Sequence, residues 1–83
     1  MFKNHTKDGK NNICGKKIKE IRMNLPKKPS QNDLSSLLQV NGLDIDKNAI
    51  QKIESGQRFV TDIELKTIAK VLDVSYEVLL DEE

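Results

Sequence analysis

Four side chains set the chemistry this sequence can do: Lys47, Asn48, Gln51 and Lys52, all within one eleven-residue stretch, DKNAIQKIESG. Asn and Gln amides can pair with the edge of adenine. Lysine ammonium groups can reach guanine or backbone phosphate. Asp46 is a residue type that caps a helix start, and Gly56 one that ends a helix, so a short helix fits between them. On such a helix Ala49, Ile50 and Ile53 gather on one face, because residues three and four apart are neighbours. Lys47, Asn48, Gln51 and Lys52 then point the other way, and no acid shares their face. That pattern suits the probe of a helix-turn-helix; an ordinary solvated face is the plainer alternative, and the rest of the chain must decide.

The elements that position this stretch are all helical. The chain has 83 residues, enough for one domain and one small core. Cys14, Ile18, Ile21 and Leu25 recur at spacings of four, three and four, which predicts a first helix from near Ile13, capped by Asn12 or Asn11 and ended by Pro26. Ser30 with Asp33 resembles a capping box opening a second helix, with Leu34, Leu37 and Leu38 on its buried face and Ser35 where another helix crosses closely. Asn41-Gly42 breaks that helix, and Leu43 and Ile45 tuck beneath the turn. Gly56 to Val60 forms a loop that Phe59 and Val60 anchor on the core. Thr61 and Glu64 form a second capping box, starting a fourth helix whose stripe is Ile63, Leu65, Ile68, Ala69 and Leu72. Ser75 caps a last short helix, Tyr76 to about Leu80. Tyr76, Leu79 and Leu80 are core at helical spacing, and any surplus exposed there is the candidate dimer surface. The expected fold is all-α, with residues 1–12 a flexible basic arm, 13–80 the domain and 81–83 an acidic tail.

Charge is distributed unevenly although the net value is only +1. In residues 1–30 nine Lys or Arg stand against Asp8 and Glu20, a balance of +7; in residues 61–83 two Lys stand against seven acids, a balance of −5. A polyanion partner for one side of the molecule follows. Lys3, Lys7 and Lys10 of the arm could track phosphates, although an idle tail is the plainer reading, and Lys16, Lys17 and Lys19 are more simply a solvated face. Cys14 stands alone, giving neither a disulfide nor a zinc set, and fits a small core position in a cytoplasmic protein. Asp44, Asp46 and Asn48 imitate the start of a calcium loop, but Ala49 and Ser55 occupy the places that need Gly and Glu. No metal or cofactor is expected, no secretory or membrane segment is legible, and no nucleophile, metal or phosphate-loop constellation indicates an enzyme.

Taken in order, "IKEIR", "SQNDLSSLL" and "AIQKIESGQRFVTDIELKTIAKVLDVSYEVLL" resemble the lambda-repressor-like, Cro-type (XRE) helix-turn-helix family from about Ile13 to Leu80. The resemblance implies a compact five-helix domain whose third helix enters the major groove of double-stranded DNA. It puts Lys47, Asn48, Gln51 and Lys52 at base- and groove-facing positions. Gln31 would contact a phosphate and buttress the third helix, Gln57 and Arg58 would touch backbone phosphates, and Arg22 and Glu54 would form a structural ion pair. The sixteen residues from Leu34 to Ile50 exceed the family's usual spacing, so the turn is lengthened, and Ala49 replaces the usual hydroxyl residue. The function implied is a sequence-specific transcriptional regulator, a repressor of phage or mobile-element type acting as a homodimer on a two-fold operator. The alternative is a protein-interaction module of the same fold, of antitoxin or coactivator type.

Overall fold

The computed structural model describes residues 10–80, so most of the expected arm and the acidic tail lie outside the described residues. Five helices follow in order: α1 (Gly15–Asn24), α2 (Gln31–Val40), α3 (Lys47–Glu54), α4 (Asp62–Leu72) and α5 (Tyr76–Leu80), with no strand among the described residues.

Each start is explained by local chemistry. Ser30 Oγ accepts from Asp33 N–H while Asp33 accepts from Ser30 N–H, and Thr61 and Glu64 make the same reciprocal pair at α4. Each box satisfies backbone donors that helix geometry leaves unpaired. Asp46 accepts from Ala49 N–H at 2.8 Å and starts α3. Helix α1 begins at Gly15, two residues later than the apolar stripe suggests; Ile13 is outside it and 36% exposed. Asn12 nevertheless serves as a cap, its Oδ1 accepting from Gly15 N–H at 2.7 Å.

The core is aliphatic. Ile18, Leu34, Leu38, Ile50, Ile53, Ile68 and Leu79 are almost wholly buried, with Cys14, Ile45, Ala69 and Leu72 beside them. Helix α3 packs on both α1 and α2, so its apolar face is committed on two sides. The lengthened α2–α3 turn is held from within: Leu43 N–H bonds Leu38 O, and the buried Ser35 hydroxyl donates to Ile45 O at 2.8 Å. Ser35 is therefore both a small contact and the tie that fixes the turn.

Several apolar residues expected in the core are exposed instead. Leu37 is 46% exposed, Ile63 71%, Phe59 50%, Tyr76 50% and Leu80 43%. A helical stripe marks which residues share a face, but Leu37 and Ile63 lie at stripe edges that no neighbouring helix covers. Phe59 lies beside α3 rather than beneath the loop. At the other end, Asn11 and Asn12, expected in the arm, are hydrogen-bonded to α3 and the loop after it. They are part of the domain.

Candidate nucleic-acid interface

Helix α3 buries Ile50, Ile53 and Glu54 and leaves Lys47, Asn48, Gln51 and Lys52 exposed. Four polar side chains thus stand clear on an eight-residue helix whose other side is fixed in the core. Lysine next to amide on one exposed helix can reach phosphates and the donor–acceptor edges of bases together. Asn48 and Lys52 also line an open concavity of about 620 Å³ with Asp46, Ala49, Gln57, Arg58 and Phe59. Sequence reasoning gave no place on this face to Phe59; only the three-dimensional neighbourhood of α3 reveals it.

The orientation of α3 is fixed at its last residue. Glu54 Oε2 accepts from Arg22 Nε at 2.7 Å, and its Oε1 accepts from Arg22 Nη2 at 3.0 Å. Arg22 Nη1 also donates to Pro29 O at 2.9 Å, tying in the α1–α2 connection. The side chains of this pair are 11% and 3% exposed, and the bond to Glu54 holds the guanidinium even more firmly protonated than usual. Gln31 Nε2 donates to the same Glu54 Oε1 at 2.9 Å. One carboxylate therefore joins α1, the start of α2 and the end of α3. Every buried side-chain nitrogen or oxygen among the described residues has a partner, so the arrangement leaves no uncompensated polar atom.

The loop after α3 treats its two expected phosphate ligands differently. Gln57 is exposed. Arg58 is held instead against α4: its Nη1 and Nη2 donate to Glu64 Oε1 and Oε2 at 2.9 and 2.7 Å, and Nη1 also bonds Phe59 O. A carboxylate in bidentate contact compensates the guanidinium, so Arg58 offers a phosphate far less net charge than its residue type suggests. Arg58 in turn pushes the Glu64 carboxyl below the usual range, against a smaller opposing effect of burial, with the Thr61 backbone N–H helping. Glu64 thus serves two structures at once, the α4 capping box and the Arg58 pair. Its first role is visible in the sequence and its second is not.

Helices α4 and α5 carry a different surface. Ile63, Tyr76 and Leu80, with Leu65, Asp62 and Lys66, line a shallow concavity of about 410 Å³ between α4 and α5. No helix among the described residues is long and apolar enough to cross a membrane.

A family model described as helix-turn-helix (HTH_3) matches residues 18–79. Among solved structures, the chain is similar to the restriction-modification controller protein C.AhdI from Aeromonas hydrophila, at 31% identity and a TM-score of 0.64. That match covers 78% of this chain and 84% of the other. Comparison with curated proteins gives no significant match.

Proposed function

The chain belongs to the HTH_3 helix-turn-helix family of DNA-binding transcriptional regulators, and we propose that it represses transcription as a homodimer that seats α3 in successive major grooves of a two-fold operator. The observation that carries this reading is the exposed Lys47, Asn48, Gln51 and Lys52 on a helix whose opposite face is locked into the core. Asn48 and Gln51 are the sequence readers, Lys47 and Lys52 add charge, and Gln31 and Gln57 bracket α3 as neutral phosphate ligands. Gln31 spends one amide hydrogen on Glu54 and keeps a second for phosphate. Arg58 acts chiefly by holding the loop on Glu64 and adds a weak phosphate contact.

A dimer is supported by the exposed apolar side chains Ile63, Tyr76 and Leu80, which line one concavity between α4 and α5. Two copies joined there would present two α3 helices one DNA turn, about 34 Å, apart. The description of the Aeromonas hydrophila protein as a controller supports regulation as the role. A repressor of mobile-element type would act by occupying a promoter, with no catalysis.

Selecting bound duplexes from a random pool tests the whole reading. Enrichment of an inverted repeat with half-sites one turn apart is expected. A pool that stays unenriched, with the protein monomeric at micromolar concentration, would sink it and turn attention to a protein partner for the α4–α5 surface.

A further inference from the structure

We infer that Asn12 is a positioning residue for DNA recognition, acting through the end of α3 and the loop behind it; the inference rests on the function proposed above. Asn12 spends its amide on two carbonyls at once. Its Nδ2 donates to Ile53 O at 3.1 Å and to Arg58 O at 2.7 Å, while its Oδ1 accepts from Gly15 N–H at 2.7 Å. Asn11 extends the clasp: its backbone N–H bonds Gly56 O at 2.8 Å and its Nδ2 bonds Gln57 O at 2.9 Å. Two consecutive asparagines therefore hold the carbonyls of residues 53, 56, 57 and 58.

Two glycines show that this approach is built into the chain. A Cβ on Gly15 would lie 1.9 Å from Ile53 O, and one on Gly56 would lie 2.7 Å from the Lys10 side chain. Hydrogen at Gly15 lets the start of α1 cross the end of α3 this closely, and Gly56 supplies the left-handed turn (φ 84°) that carries the chain out of α3. The consequence for recognition is electrostatic as well as geometric. Carbonyls at a helix C-terminus carry partial negative charge and would repel a nearby phosphate. The clasp turns the loop carbonyls towards amide donors on the protein side. It thereby fixes where Gln57 and Lys52 meet the backbone and, by holding the end of α3, the register in which Asn48 and Gln51 meet the base edges, without touching DNA itself.

The test uses the full chain, an Asn12→Ser variant and an Asn11→Ala variant. Serine keeps an oxygen to cap Gly15 N–H but has no amide to span the two carbonyls. Affinities are measured for the duplex the native chain selects and for an unrelated duplex, well below the melting temperature of each variant. Asn12→Ser is expected to lose roughly tenfold on the selected duplex and Asn11→Ala about threefold, about 1.4 and 0.7 kcal/mol, with a smaller loss on the unrelated duplex. Equal losses on both duplexes would leave the clasp no part in sequence recognition and overturn the inference. So would an unchanged ratio in Asn12→Ser, or in Asn11→Ala should the first variant fail to fold. Failure of the native chain itself to prefer any duplex would remove the proposed function together with this inference, and is distinguished by appearing before any substitution is made.

Discussion

Replacing Gly15 by alanine sets local and tertiary effects against each other with opposite signs. Gly15 is the first residue of α1, and its φ is not in the left-handed region, so the backbone there suits alanine. On helix propensity the change should stabilise, by up to about 1 kcal/mol, helped by a less flexible unfolded chain. The tertiary structure says otherwise. The new Cβ would sit 1.9 Å from Ile53 O and 2.8 Å from Asn12 Oδ1, where an ordinary carbon–oxygen contact is about 3.3 Å or more. The obstacle is backbone, which cannot swing aside as a flexible side chain would. Relief requires α1 and α3 to part by roughly 1.4 Å, loosening Cys14 and Ile18 against Ile53 and stretching the Asn12 bonds. Overpacking of this kind costs about 1–3 kcal/mol. The net expectation is destabilisation of about 1–2 kcal/mol, which in a domain this size lowers Tm by roughly 5–15 °C. Thermal unfolding followed by circular dichroism decides it, with exposed Lys16→Ala as a control expected to move stability by less than about 0.5 kcal/mol. A Gly15→Ala chain melting at or above the native temperature would refute the close crossing of α1 over α3.

Arg22→Met leaves Glu54 buried without its cation and should cost about 3–5 kcal/mol in urea unfolding, whereas Arg22→Met with Glu54→Leu should recover part of that loss. A double variant no more stable than the single one would show that the pair is not the source of the cost. Glu64 titrates below its ordinary value because of Arg58, so its contribution is fully present above the unfolded pKa and lost as pH falls through the lower folded value. Melting curves from pH 5 downwards should therefore be shallower in Glu64→Gln than in the native chain; parallel curves would contradict the Arg58 pair. Lys52→Ala should reduce the slope of log affinity against log salt by about 1, while Gln51→Ala should leave that slope and cost about 1–3 kcal/mol on the selected duplex alone, both read by fluorescence anisotropy.

What could be read from the sequence was whatever acts over one helical turn. The two capping boxes, Asp46 ahead of α3 and the exposed quartet on α3 follow from residue types three and four apart. The stripes located the core but not its edges: Leu37 and Ile63 share faces with buried leucines and isoleucines yet lie uncovered. Periodicity reports which way a residue faces; the neighbour that covers it is set by helix lengths and crossing angles. The Arg58–Glu64 pair spans a loop and follows no period, and the asparagine clasp joins residues 41 to 46 apart. The Arg22–Glu54 geometry, across 32 residues, could be anticipated only from the family resemblance.

These long-range ties matter because of the length of α3. Eight residues rise about 12 Å, so a tilt of 5° about one end moves the other by about 1 Å. A hydrogen bond to a base edge tolerates only a few tenths of an ångström before it weakens. Lys47 and Asn48 sit at the N-terminal end of the helix, while the Glu54 cluster and the asparagine clasp sit at the C-terminal end. A hinge at Glu54 alone would leave the reading end free to swing. The bond from Ser35 to Ile45 O, one residue before the Asp46 cap, supplies the missing second anchor. It lies within the segment that makes this turn longer than usual, so the added length need not loosen the reading end. Ser35→Ala should then weaken discrimination between duplexes more than Ser36→Ala, whose hydroxyl bonds only within its own helix, and equal behaviour of the two would break the argument.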